Sequence, residues 1–393
     1  MSYVDITILS ILATLYFSVE ITILFYYGKI SFGYDSNGFD FEELAKKHDI
    51  PFVSIIVPAY NEENNIGKCL KSLKSLNYPH YEIILIDGGS TDKTVSVAQE
   101  YLEPKNIIVS EGLPEGWIGK SWACHLGYQA AKGDILLFTD ADTEHKPESL
   151  RKLVCISRET NAGLLTLLPY QKMSKYWESI LPIYYFMSHV SSGGSKRVNN
   201  RENQDSFLAS GQYMLFTRKA YVEFGGHESI KGSVVEDYAI ARCIKTKLNC
   251  LYYLENHQLV ASRMYPDSPR MCWTGIKKVL YAGTRITSPK KIILSTLFVL
   301  WVILTPFAIL LSVRHETRLF FLITSGIYIL HLLVFAHYWN KKGRHYYLTY
   351  LLLPFLEFVF ILAMIFSVLE IKFKKTTEWK GIKYTPDLDA GLS

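Results

Sequence analysis

The 393-residue sequence is short of several features that would place it in a familiar class. Six cysteines (Cys69, Cys124, Cys155, Cys243, Cys250 and Cys272) are too few for a disulfide framework in a chain this long, and none stands in the paired CxxC spacing of a zinc site. They read as free thiols in a reducing compartment. No charge dominates: 42 Lys and Arg face 37 Asp and Glu, for a formal net charge of +5, which gives no argument for nucleic acid. Polar low-complexity sequence is missing too. With 49% hydrophobic and 20% charged residues the chain is not a disordered one, and no internal repeat marks a solenoid. The length allows one large domain or two ordinary ones.

Apolar residues are concentrated at the two ends. Residues 4–27 form a run broken only by Asp5 and Glu20, and 291–313, 318–338 and 346–371 are apolar stretches separated by short polar loops. Each is long enough to cross a hydrocarbon core of about 30 Å as a helix. The first lacks the basic start and small-residue exit of a cleavable signal, so 1–28 is expected to be a transmembrane helix and 29–50 a linker. A fully soluble protein is excluded. The last run holds Pro354 and Glu357, and the tail beyond it, 372–393, carries Lys372, Lys374, Lys375, Lys380 and Lys383. Three C-terminal crossings would put this basic tail opposite the soluble region, against the positive-inside tendency. A last segment that dips in and returns is the alternative.

Between the ends, strand and helix signals alternate. SIIVPAY (54–60), EIILID (82–87), NIIVSE (106–111) and DILLFTDAD (134–142) read as strands. Residues 62–76, 91–102 (capped by Ser90 or Thr91) and 120–131 read as helices. Apolar strands alternating with helices indicate a parallel sheet covered on both faces, with ligands at the strand C-terminal ends. The aromatic segment 175–190, interrupted by Pro182, fits a core helix or an interfacial one equally well. Residues 193–206 are small and polar, as in a mobile loop. Residues 269–290 place Trp273, Ile276, Leu280 and Gly283 on one helical face with Lys277, Lys278 and Arg285 nearby, the pattern of an amphipathic helix on an anionic membrane surface.

The acids cluster at strand ends. Pro58-Ala59-Tyr60-Asn61-Glu62 follows the first strand, where a turn can offer a ring and a carboxylate to a base and ribose. The competing reading is simply a turn. Asp87-Gly88-Gly89-Ser90 with Asp92 follows the second: glycines allow close backbone approach and Asp87 can accept hydrogen bonds, or can merely cap a helix. Asp140-Ala141-Asp142 ends the fourth. Two uncompensated carboxylates there repel one another, so a divalent cation that takes oxygen ligands explains them better than structure does. Glu236-Asp237 precedes a helix, where one acid can cap and the other can serve as a general base. Lys120, at the start of a helix, can reach a phosphate.

Taken in order, these motifs resemble family 2 glycosyltransferases with a GT-A fold, over roughly residues 52–290. GLPEGWIGKSWACHLG (112–127), GQYMLFTRKAY (211–221), GGH (225–227), VVED (234–237) and Trp379-Lys380-Gly381 look like the membrane-bound branch that includes carotenoid glucosyltransferases and ceramide-glucosyltransferase-like enzymes. The resemblance implies an α/β GT-A domain over 51–268, with a mixed, mainly parallel sheet and helices on both faces, joined to transmembrane helices over 291–371. It implies an NDP-sugar donor (a UDP-sugar foremost), inversion at the anomeric carbon, and Mg2+ or Mn2+ held by the DxD motif. On that pattern Asp142 is the main metal ligand, and Asp140 shares the metal and contacts the donor ribose or sugar. Asp237 is the catalytic base. Pro58, Tyr60, Glu62 and Asp87 line the nucleotide pocket, with Lys120 on a phosphate. Glu236, Arg270 and Trp273 are further candidates for diphosphate or acceptor contacts. Gly88 departs from relatives with a second acid there, His125 from those with Asn. Only Arg270-Met271-Cys272-Trp273 stands for the Gln-x-x-Arg-Trp of processive synthases.

The expected activity is transfer of one sugar to a hydroxyl of a membrane lipid, carotenoid-, sterol-, glycerolipid- or ceramide-like, with the catalytic domain facing the cytosol from the cell membrane. No nucleic acid or obligate protein partner is expected. A processive polysaccharide synthase, a polyprenyl-phosphate sugar transferase and an idle nucleotide-binding tether are the competing readings.

Overall fold

The computed structural model describes residues 39–255, 258–286, 289–314, 318–340, 342–344, 347–374, 377–379 and 382–384. The expected N-terminal transmembrane helix, residues 29–38 of the linker and most of the basic tail lie outside the described residues.

The strands before the long apolar helices are β1 (Val53–Ala59), β2 (Tyr81–Asp87), β3 (Ile107–Val109), β4 (Ile135–Thr139), β5 (Thr143–His145), β6 (Leu164–Leu167), β7 (Tyr170–Gln171), β8 (Tyr213–Thr217), β9 (Leu251–Leu254) and β10 (Val260–Ser262). Seven form one sheet in the order β3-β2-β1-β4-β8-β6-β9, and β5-β10-β7 form a small second sheet. The large sheet is parallel except that β8 runs antiparallel to both β4 and β6. This is the mixed, mainly parallel sheet expected. Both its faces are covered, so β1 reads as a continuous apolar run. Val53, Ile55 and Val57 pack on one side with Ile66, Leu70 and Leu73 of α1 (Ile66–Lys74). Ile56 and Ile84 pack on the other with Ala123 and Cys124 of α2 (Gly119–Ala130).

Some local expectations need correction. β3 is three residues at the sheet edge, shorter than 106–111, with Val109 half exposed. Asp92, not Ser90 or Thr91, accepts the first free N–H of the helix at 94–99, that of Thr94. The 175–190 segment contains α3 (Leu181–Ser192), which carries Pro182 in its first turn, where a missing N–H costs nothing. Phe186 of α3 is buried among Phe298, Phe335 and Tyr338, so α3 is a core helix joining the two halves of the protein. Residues 193–206 are not an irregular loop throughout. Asn199 exchanges hydrogen bonds with the Tyr253 backbone at 2.9 and 2.7 Å, and Ser195 donates to buried Glu255 at 2.6 Å.

After α4 (Glu236–Cys243) and β10 come α5 (Pro269–Ile286), α6 (Pro289–Arg314), α7 (Arg318–Asn340) and α8 (Leu353–Lys374). By length and composition three spans can cross a membrane: Ile292–Leu311, Phe320–Asn340 and Leu353–Glu370, with mean hydropathy 2.5, 1.9 and 2.1. Leu304, Phe307, Leu310, Leu322 and Leu333 point outward, as lipid-facing residues do. A third core, containing Ile276, Phe298, Trp301, Phe335 and Phe360, fastens the helices beneath the catalytic domain. Polar ties reinforce it. Lys342 pairs with Glu255 at 2.9 Å, both side chains buried, and the Tyr338 hydroxyl donates to the Tyr185 carbonyl at 2.9 Å. α8 is held at both ends: Thr349, just before it, meets Ser179 at 3.3 Å, and Glu370 pairs with Lys277 of α5.

Candidate active site

The parallel order reverses between β1 and β4, so the crevice beyond their C-terminal ends is the topological switch point where open α/β sheets bind ligands. A cavity of about 350 Å³ lies there. Pro58 of β1, Tyr60 and Glu62 just after it, Asp140 and Asp142 just after β4, Lys120 at the start of α2, and Glu236 and Asp237 at the start of α4 line it. Eight of the eleven residues singled out from the sequence therefore line one cavity.

The loop after β1 is laced to the turn after β2. Asn61 sits at φ 52° and accepts from the Thr91 N–H, while its own N–H donates to Ser90 at 2.9 Å. Asp87 is spent on this turn. It is 1% exposed, and its carboxylate accepts from the N–H groups of Gly89 and Ser90 and from the Ser90 hydroxyl. Gly88, not Asp87, lines the cavity.

Lys120 organises the acids. Its Nζ lies 2.7 Å from Asp140 Oδ1 and 2.8 Å from Glu236 Oε1. Burial works against its charge, but the two carboxylates carry the ammonium well above its ordinary value. Burial also pushes Glu236 up, yet Lys120 and Lys278 overcome it and hold that carboxyl at about 2. Asp140 is raised by burial against the pull of Lys120, with Glu236 and Glu62 adding to the rise. Asp237 differs from its neighbour. Burial and the adjacent Glu236 charge lift it to about 6, against Lys120 and two N–H donors, Gly211 at 2.9 Å and Tyr238 at 2.8 Å. Two adjacent acids driven apart in this way fit separate tasks, a fixed anion and a base poised near neutrality.

Gly211 is a site residue the motifs hid. A Cβ there would lie 2.9 Å from Lys120 Nζ and 3.1 Å from Glu236 Oε1, so the backbone approaches the cluster more closely than any side chain permits. Lys278 is another. Reading α5 as a membrane-surface helix turned its lysines toward lipid headgroups, but Lys277 pairs with Glu370 and Lys278 lines the cavity. Burial holds the Lys278 ammonium below its usual value, while Glu236, Asp237 and Asp140 favour its charge. Arg270 and Trp273 do not reach the cavity. Arg270 is exposed, and Trp273 packs against Phe366 of α8. Helical geometry explains this: Met271 and Lys278, seven residues apart, share the inward face, and Trp273 is turned about 200° from Met271.

The donor chemistry fits a divalent ion. Six carboxylates (Glu62, Asp140, Asp142, Glu236, Asp237 and Asp267) line the cavity against three cations, Lys120, Arg263 and Lys278. Such a surplus repels an anionic ligand unless a cation accompanies it. Among the described residues no group of three or more His, Cys, Asp and Glu forms a metal cage. Ions such as Mg2+ make do with one or two carboxylates when a ligand's phosphates complete the shell. The N-terminus of α2 lines the same cavity without a side-chain cap, leaving its first N–H groups for an anion.

Comparison with known proteins bears on the family and the fold. Residues 54–225 fit the model of glycosyl transferase family 2. Two 4,4'-diaponeurosporenoate glycosyltransferases, from Staphylococcus haemolyticus (strain JCSC1435) and Staphylococcus aureus (strain USA300), are each 28% identical to the chain. The alignments run over 337 and 346 residues and cover 85% of this chain and 88% of each relative. Among solved structures, the mannosyltransferase PcManGT from Pyrobaculum calidifontis, in complex with GDP-Man and Mn2+, superposes with a TM-score of 0.52. That match covers 91% of this chain and 97% of the other at 15% identity, a likeness of fold. Motif order, sheet topology and relatives agree: the chain carries a family 2 glycosyl transferase domain on a GT-A fold and resembles the carotenoid glycosyltransferases of that family.

Proposed function

We propose that the protein is a membrane-anchored, inverting glycosyltransferase that moves one sugar from an NDP-sugar, a UDP-sugar foremost, to the hydroxyl of an apolar lipid. The observation that carries this reading is Asp237, which lines the strand-end cavity together with Lys120, Glu236 and Asp140 and is lifted by burial. The Asp237 carboxylate takes the proton of the acceptor hydroxyl, whose oxygen attacks the anomeric carbon from the face opposite the diphosphate. The bond to the diphosphate breaks, and charge builds on the departing nucleotide. Lys120, Lys278 and the first turn of α2 face that charge. A divalent ion held by Asp142 and Asp140 would supply further neutralisation of the diphosphate. Pro58, Tyr60 and Glu62 flank the base and ribose. The catalytic domain is assigned to the cytosolic side of the cell membrane, where nucleotide sugars are made.

The lipid-acceptor reading is supported by the apolar helices beside the cavity and by relatives named diaponeurosporenoate glycosyltransferases. The test incubates purified protein in vesicles with a panel of NDP-sugars and lipid alcohols and acids, with and without Mn2+ or Mg2+, and weighs the lipid products. One added hexose on one lipid class, lost in Asp237→Asn while nucleotide binding persists, is the expected result. A ladder of sugars or undiminished turnover in Asp237→Asn overturns it.

A further inference from the structure

A second, smaller cavity of about 90 Å³ lies on the membrane side of the first. It is lined by Met187 and Ser191 of α3, Leu280 of α5, Ser295 and Val299 of α6 and Met364 of α8. Tyr184, Ser188, Tyr238 and Val279 line both cavities, so the two share a wall. Tyr184, Ser188 and Tyr238 form that wall, and Asp237 directly precedes Tyr238. The partition is thus one residue away from the proposed base.

The lining suits a hydrocarbon. Ser188 and Ser191 donate back to their own helix, to the carbonyls of Tyr184 at 2.9 Å and Met187 at 2.8 Å, and apart from Tyr184, Tyr238, Ser295 and Thr296 the rest of the lining is hydrocarbon or thioether. The slot opens between the first two turns of α6 and the middle of α8, both on apolar spans. At ~30 Å³ for a water-sized group it accommodates only a few carbons, and a longer chain must leave sideways between those helices.

We infer that this slot receives the hydrocarbon segment next to the reactive group of the lipid acceptor and threads it past Tyr184 and Tyr238 to Asp237. This rests on the lipid-acceptor reading above. The enzyme then selects the shape of the first few carbons, a slender unbranched end, and is indifferent to total chain length.

The test uses the full-length protein in phosphatidylglycerol–phosphatidylethanolamine vesicles with hexadecanol carrying a diazirine near its hydroxyl. After illumination, labelled peptides are mapped by mass spectrometry. Residues 292–299 and 360–364 are expected to carry at least fivefold more label than the outward Leu304, Phe307 and Leu310 of α6. Ser295→Phe, which fills the slot, is expected to remove that excess, and Ser295→Ala to keep it. Label spread evenly over the outward residues, or a Ser295→Phe protein labelled like the wild type, overturns the inference. If Ser295→Phe does not fold, the wild-type ratio alone decides. Labelling needs no sugar transfer, so a labelled slot in a protein that glycosylates no lipid overturns the function and leaves the slot standing.

Discussion

Gly211→Ala separates chemistry from folding at a single methyl group. The new Cβ would lie 2.9 Å from Lys120 Nζ, about 0.6–1 Å closer than carbon and nitrogen tolerate. The atom that must yield is the far end of a flexible side chain, so the fold does not resist. The ammonium gives way and stretches its contacts to Asp140 and Glu236 from 2.7 and 2.8 Å towards ~3.5 Å. A displacement near 1 Å in a catalytic group costs about 10²-fold in rate, so kcat should fall about 10- to 100-fold. Stability should hold or rise slightly, because the φ of Gly211 is not positive and alanine lowers the entropy of the unfolded chain by about 0.4–1 kcal/mol. The assay is steady-state transfer to a lipid alcohol alongside thermal unfolding, repeated in a Lys120→Met background. If the methyl acts through Lys120, most of its effect vanishes there, as coupled neighbours require. Full activity in Gly211→Ala, or an equal loss in both backgrounds, refutes the reasoning.

Other outcomes follow from the same geometry. Asp237 must be ionised to act as a base, and its value is raised to about 6, so kcat/KM should climb with pH up to about 6 and level off above it. Because ionising Asp237 is unfavourable in the fold, Asp237→Asn should be at least as stable as the wild type above pH 6, measured by thermal unfolding. Lys278→Met should lower kcat/KM about tenfold or more, whereas Arg270→Met, outside the cavity, should change it less than about twofold in the same assay. Lys342→Met leaves Glu255 buried without its ammonium, and denaturant unfolding should show a loss of about 3–5 kcal/mol, with a loss under 1 kcal/mol arguing against the tie.

Much of this was legible in the chain because the informative signals were local. β1, β2 and β4 are apolar runs whose ends carry the chemistry, and strand order places Tyr60, Asp140 and Asp237 on one side of a sheet. Positions set by tertiary contact were harder to read. Asp87 and Ser90 look alike as pocket or cap residues until their hydrogen bonds are seen. Lys278 could be given to headgroups because periodicity fixes which residues share a helical face and says nothing of what that face meets. The interval of seven from Met271 groups it with the inward residues, but only packing shows where inward is. Gly211 opens the GQYMLFTRKAY motif, but nothing in that motif says that its backbone meets Lys120 and Glu236. Ser195 and Asn199 sit in a polar stretch that composition assigns to solvent, while Glu255 and β9, more than fifty residues away, hold them.

The tethering of α8 has a consequence for the sidedness of the chain. Ser179 meets Thr349 on the short helix before α8, and Lys277 pairs with Glu370 near the far end of α8, a rod about 33 Å long. Were both contacts on the water side, α8 would run along the water–lipid boundary, since passage through would carry one tip some 30 Å away. In that arrangement α6 and α7 would cross as a hairpin and the tail after α8 would share a compartment with the active cleft; with α8 crossing as well, the tail would lie opposite. A cysteine placed at Lys383 should react with membrane-impermeant maleimide only in vesicles whose catalytic domain faces outward. Labelling in the opposite orientation would mean that α8 passes through.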